Sequence, residues 1–167
     1  CGAKHAIVGF TDSIRTELIH DHSRVHLTVV QMPALNTPQF SWCKSNMRRK
    51  AQPVPPIFQP EVGAEAVYYA AHHKVGPEML VGWPTVKAVL GEKFLATYLD
   101  RKLASIGYDS QQTDDPAFKR PDNLFEPVPG DFAAHGRFDD RAREHSGELW
   151  LRMHRKWLLL GAAGLAM

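Results

Sequence analysis

The sequence predicts an α/β fold built on a doubly wound parallel sheet. Three observations carry that expectation. Residues 1–18 read as an amphipathic helix, Val25–Met32 reads as an apolar strand closed by Pro33, and a second helix over 60–73 leads into a short apolar strand at 78–82. Helix, tight turn, buried strand, then proline and a loop is the cadence of helices laid against parallel strands.

In the opening helix Ala3, Ile7, Phe10, Ile14 and Leu18 recur at spacings of four, three, four and four, which lines one face. Lys4, Asp12, Arg15 and Glu17 fall largely off that stripe. No Ser, Thr, Asp or Asn precedes its first apolar residue, so the helix is uncapped. A chain that opens on Cys1 in mid-helix, with no initiator Met, is expected to be the C-terminal piece of something longer. Asp21-His22-Ser23-Arg24 makes a polar turn, and the β-branched run to Met32 is the buried strand. The loop Pro33-Ala34-Leu35-Asn36-Thr37 leaves the carboxyl end of that strand, where open α/β sheets bind their ligands.

These stretches resemble the short-chain dehydrogenases/reductases. Two small residues, Lys4, and a helix carrying Gly9-Phe10-Thr11-Asp12-Ser13-Ile14-Arg15-Thr16-Glu17-Leu18 are similar to that family's active-site helix, whose motif is Tyr-x-x-x-Lys. With Lys4 as the lysine, the tyrosine falls one residue before the chain begins. In the family the following strand ends in Pro-Gly and reaches a Thr a few residues later. This sequence has Pro33 and Thr37 but places Ala34 where Gly is usual, with a slightly shorter spacing. The resemblance implies a Rossmann-type sheet, of which this chain supplies the C-terminal portion, two strands with flanking helices. It implies NAD or NADP as cofactor, with Lys4, Pro33, Ala34, Leu35 and Thr37 contacting it. The residue that selects between the two cofactors is absent from this chain.

The implied chemistry is hydride transfer between a nicotinamide and a carbonyl or alcohol. A tyrosine phenol, ordinarily near pKa ~10, serves as the proton donor when an ammonium one helical turn on pulls it down. Lys4 would do that and also hold the nicotinamide ribose. The bland reading of a single exposed helical lysine is a solvated charge. Here the order of helix, strand, Pro33 and Thr37 argues for the other. The Gly-rich phosphate loop, the catalytic serine and the tyrosine are all missing, so the isolated chain is expected to be inactive.

Pro38-Gln39-Phe40-Ser41-Trp42 begins a short helix, and the stretch to Gln59 holds too much proline for a long helix and too few periodic apolars for a strand. By resemblance residues 38–59 are the substrate lid, with Phe40 and Trp42 lining an apolar substrate pocket. Alternatively these two rings pin the lid to the core. Arg48-Arg49-Lys50 reads as a solvated face rather than a phosphate clamp. The helix at 60–73 starts with Pro60 and Glu61, suited to a helix N-terminus, and buries Val62, Ala66, Tyr69 and Ala70. Residues 84–105 form a long helix, so that 1–105 belong to the sheet domain. Leu90, Phe94 and Leu95 on it are available to a second subunit, and the family resemblance implies homo-oligomers through outer helices. From 106 to 144 Asp, Pro, Gly, Gln and Arg dominate, and the expectation is an irregular extension. Residues 145–167 form a final helix with Trp150, His154, Trp157 and Leu158 on one face. Its apolar end is much shorter than the roughly 20 residues of a membrane span. Packing on the body or on a partner is preferred to contact with a membrane surface.

Composition narrows the function classes. A net charge of +2 from 20 basic and 18 acidic residues gives no argument for nucleic acid. Cys1 and Cys43 form no spaced pair, which fits a reduced, cytoplasmic setting. Nine histidines include His20-x-His22, His26 and His72-His73, yet none has Cys, Asp or Glu at ligand spacing, and no metal is expected. No nucleophile elbow or Walker-type loop is present. The alternatives to the dehydrogenase are a family member that binds nucleotide without turnover and a helical protein-interaction module.

Overall fold

The computed structural model describes residues 2–155 and is mixed α/β. Helix α1 spans Gly2–His20, followed by strand β1 (Val29–Gln31), strand β2 (Ala34–Leu35), the short helix α2 (Gln39–Trp42), and strands β3 (Arg49–Ala51) and β4 (Ile57–Phe58). Helix α3 (Pro60–His72), strand β5 (Glu78–Leu80), helix α4 (Trp83–Ser110) and strand β6 (Gln112–Pro116) come next, and residues 147–155 form a last helix, α5.

The predicted strands pair as expected. β1 runs parallel to β5 with Val30 opposite Met79, and α3 is the helix of the connection that leads into β5. Val29 donates its amide to the Pro77 carbonyl at 3.0 Å and Val81 donates to the Gln31 carbonyl at 3.0 Å, while the Gln31 and Glu78 side chains bond across the pair. The strand is shorter than the Val25–Met32 run, and it is half-buried rather than enclosed on both faces. β2 and β4 form a second parallel pair, Ala34 opposite Ile57 and Leu35 opposite Phe58, and β3 and β6 form an antiparallel pair. Two expectations are corrected here. The 38–59 stretch, read as strandless, contains β3 and β4, because each is short enough to be held by a partner distant in sequence rather than by its own periodicity. Regularity also continues past residue 105, to Ser110 in α4 and on into β6.

The core is assembled from α3, strand β4, strand β5 with the residue that follows it, and α5. Phe58, Val62, Ala66, Met79, Val81 and Leu149 are buried against one another, with Val30, Leu35, Tyr69, Ala70 and Met153 packed at their margin. The α3 stripe is therefore the one its spacing predicts. α5 is pinned by Leu149 and capped by Ser146, whose Oγ accepts the Leu149 amide at 3.3 Å. Its buried face is Leu149–Met153, whereas Trp150 and His154 stack on each other at 4.5 Å on the outside. That corrects the face expected from Trp150 and His154; Trp157 and Leu158 lie outside the described residues. Glu148, buried in the first turn of α5, accepts the Gly82 amide at 2.9 Å and pairs with Arg152 at 2.9 Å. Gly82 sits at φ +79°, a backbone region open to glycine, and this is what turns β5 into α4.

α1 and α4 are the least covered elements. No residue of α1 is buried, and Ile7 and Phe10 are 60% and 68% exposed. Val8, Thr11, Ile14, Arg15 and Leu18 are the positions partly shielded by the body, so the C-terminal half of the predicted stripe (Ile14, Leu18) is covered while Ala3, Ile7 and Phe10 are not. Arg15 tethers the helix by donating to the carbonyls of Leu27 (3.4 Å) and Pro77 (3.1 Å). The helix closes in a Schellman-type turn: His22 takes φ +52°, its amide donates to Ile19 O, and Ser23 donates to Leu18 O at 2.9 Å. Between α1 and α3 an open cleft of about 850 Å³ runs over Val30. α4 buries only Thr85 and breaks at Leu95, where φ is −135°. No helix among the described residues is long and apolar enough to cross a membrane.

Candidate functional site

The loop that leaves β1 is held by a polar cluster centred on Asn36. Its side chain is fully buried and uses every hydrogen-bonding group it has. Nδ2 donates to Gln59 Oε1 at 3.0 Å and to Asp139 Oδ1 at 2.7 Å, and Oδ1 accepts the Phe138 amide at 3.0 Å. Its backbone is equally committed, since the amide donates to Phe58 O at 2.8 Å and the carbonyl accepts from Gly136 at 3.0 Å. Gln59 immediately precedes α3, and its side chain reaches across to Asp139 at 3.0 Å instead of capping the helix. The cluster therefore ties the end of β2, the start of α3 and residues 135–139 together.

His135 completes it. Its Nδ1 lies 3.1 Å from Asp139 Oδ1 and its Nε2 lies 2.7 Å from Glu61 Oε1. The hydrogen bond to Asp139, then that to Glu61, raises the His135 pKa above the usual imidazole value. The same contacts hold Glu61 and Asp139 below the ordinary carboxylate range, led in each case by the bond to His135. An imidazole with both nitrogens bonded to carboxylates is a clamp and is not available as a general base. Among the described residues no group of His, Cys, Asp and Glu has the arrangement to hold a metal.

The residues singled out in the sequence fall in three places. Pro33, Ala34, Leu35 and Thr37 flank Asn36 along the segment that leaves β1 and passes through β2. Ala34 and Leu35 are paired with β4 as β2, and the Thr37 amide donates to Leu35 O at 3.0 Å. Phe40 and Trp42 follow on α2, half-buried. The Phe40 ring meets the edge of Phe138 at 5.9 Å, and Trp42 meets Phe132 at 6.4 Å. Both rings are thus packed on the C-terminal segment. Lys4 stands exposed on α1, and among the described residues no hydrogen bond or ion pair joins it to the loop. Asn36, Gln59, Glu61, His135 and Asp139 were not picked out as a group. The i,i+4 spacing of His135 and Asp139 was the one local signal, and it lay in a stretch with no regular pattern.

No family model matches the chain, and no solved structure matches it. In sequence it is similar to a protein of Bacillus subtilis (strain 168) named "Uncharacterized oxidoreductase YxnA", with 30% identity over 122 residues, 72% of this chain and 34% of that protein. The chain spans about a third of the length of the curated relative it matches.

Proposed function

We propose that this chain is the C-terminal portion of a short-chain dehydrogenase/reductase, an NAD(P)-dependent oxidoreductase acting on a carbonyl or alcohol. The observation that carries the reading is the order helix α1, strand β1, loop, helix α3, strand β5, with β1 and β5 parallel and directly paired. That order suits one flank of a doubly wound sheet, with the Pro33–Thr37 loop at the carboxyl end of β1, where such sheets bind nucleotides. The similarity to a protein named an oxidoreductase supports it.

In this reading Lys4 is the lysine of the active-site pair. It lowers the pKa of a tyrosine one turn earlier and holds the nicotinamide ribose, while the Pro33–Thr37 loop borders the carboxamide. The bound cofactor supplies the hydride. The chain's own contribution is the ammonium of Lys4 and a loop whose position is held by Asn36. The exposed Leu90, Phe94 and Leu95 of α4 are the surface proposed for self-association, in a cytoplasmic enzyme. The substrate proposed is apolar, in line with Phe40 and Trp42 near the loop.

The test is the Lys4→Met variant of the longer protein that contains this chain, assayed for NAD(P)H oxidation with a panel of ketones. Loss of the positioned ammonium is expected to cut turnover by about 10²–10⁴-fold. The 167-residue chain alone is expected to show none. Lys4→Met activity within threefold of wild type, or steady turnover by the isolated chain, refutes the proposal.

A further inference from the structure

A second concave site lies away from the β1–β2 loop. Residues 41–51 and 117–137 enclose a cavity of about 310 Å³, at the small end of ligand pockets. Six cations line it: Lys44, Arg49, Lys50, Lys119, Arg120 and Arg137, against one lining carboxylate, Asp122. Three of the six are matched. Lys44 pairs with Asp122 at 3.0 Å, Arg49 with Asp109 at 2.7 Å, and Lys50 with Asp115 at 3.1 Å. Lys119, Arg120 and Arg137 make no ion pair among the described residues.

The two arginines are nevertheless fixed in place. Arg120 Nη2 donates to the Phe40 carbonyl at 2.9 Å and the Cys43 carbonyl at 3.3 Å, and Arg137 Nη2 donates to the Ala51 carbonyl at 2.6 Å. Arg137 also lies 5.2 Å from the Phe138 ring, which is buried. Each guanidinium thus spends one nitrogen on backbone and keeps the rest of its fork without a protein acceptor among the described residues. Burial first, then the nearby Arg120 charge, holds the Arg137 pKa below the ordinary arginine value. Cations kept together, immobilised and unmatched beside a cavity are the arrangement an oxyanion completes, since guanidinium forks fit its geometry and the loop order is already established.

We propose that this cavity is a binding site for a small molecule carrying a phosphate dianion, held by Lys119, Arg120 and Arg137. A dianion answers the three unmatched charges better than a monocarboxylate does. The proposal does not rest on the dehydrogenase reading, because Lys119, Arg120 and Arg137 lie outside α1, the Pro33–Thr37 loop and the 38–59 stretch.

The probes are inorganic phosphate and glycerol 3-phosphate, titrated into the 167-residue chain at constant ionic strength, with chloride and acetate as controls. Binding is followed by calorimetry and by the thermal midpoint. A saturable rise in midpoint with both phosphates is expected, at least tenfold tighter than acetate. Arg137→Gln and Lys119→Gln are each expected to weaken phosphate about tenfold. Lys119 makes no hydrogen bond in the described structure, so Lys119→Gln keeps the fold and decides the matter should Arg137→Gln fail to fold. Phosphate no better than chloride, acetate equal to phosphate, or affinity unchanged in Lys119→Gln overturns the site. So does binding of a short oligonucleotide with no response to either phosphate, which marks a diffuse basic surface.

Discussion

Asn36 offers the sharpest test of how the candidate site is held. In Asn36→Ala the Phe138 amide and Gln59 Oε1 lose their partner next to a fully buried position, and the exposed Asp139 loses one of its bonds. Leaving a buried group unsatisfied costs about 1–3 kcal/mol, and this applies to the Phe138 amide and Gln59 Oε1, whereas water replaces the bond that exposed Asp139 loses. Gln59 and Asp139 keep their bond to each other at 3.0 Å, which limits the loss. The net expectation is a destabilisation of about 3–5 kcal/mol, a large share of the roughly 5–15 kcal/mol that domains possess. In urea, with a slope of about 1–3 kcal/mol/M, the midpoint should fall by more than about 1 M. Asn36→Asp is the companion variant. It keeps the shape but replaces the donor facing Asp139 by a second carboxylate, so it should be as destabilised as Asn36→Ala at pH 7 and recover part of the loss at pH 4. A change below about 1 kcal/mol in Asn36→Ala, or an Asn36→Asp variant indifferent to pH, would refute the assignment of Asn36 as the organising residue.

Gly136→Ala should fail for a steric reason: its Cβ would stand 2.5 Å from the Thr37 carbonyl oxygen and 2.7 Å from Asn36 Oδ1. Its urea midpoint should drop as far as that of Asn36→Ala, and the double variant should show less than the sum; additive effects would argue against a shared cluster. The His135 clamp predicts a pH window. His135 is raised from 6.5, so its contribution is full below that value and disappears as pH rises through the folded pKa. Glu61 and Asp139 are lowered from 4.5 and 3.8, so theirs is present above those values and disappears as pH falls through the folded ones. His135→Gln should therefore cost more at pH 5.5 than at pH 8.5 in chemical denaturation, and a larger cost at pH 8.5 would count against the clamp. Leu149→Ala removes a core side chain that is 1% exposed, and should destabilise the whole chain by about 2–5 kcal/mol. Loss of α5 helicity alone, with the main transition unmoved, would show that α5 is not part of the core.

Local pattern determined a good deal here. α1, α3, α4 and the parallel β1–β5 pair are legible because each repeats its apolar residues at the period of its own backbone, or runs apolar between turn residues. The buried face of α3 follows directly from Val62, Ala66 and Ala70. Other features depend on groups far apart in sequence, which no window can reveal. β3 and β4 are two- or three-residue strands that exist because β6 and β2 hold them. Ile7 and Phe10 continue the regular stripe of Ile14 and Leu18, yet only the C-terminal half of α1 is shielded, where Arg15 has carbonyl partners on the loops before β1 and β5. The same division holds at the site. The sequence by itself singles out Lys4 and the Pro33–Thr37 loop by their order along the chain. Only the tertiary structure decided that Asn36 is the buried centre of that loop, with Asp139 bonded to it from 103 positions away. The physical reason is that a buried amide must satisfy its hydrogen bonds wherever donors and acceptors are brought to it, and that supply is set by the packing of distant segments.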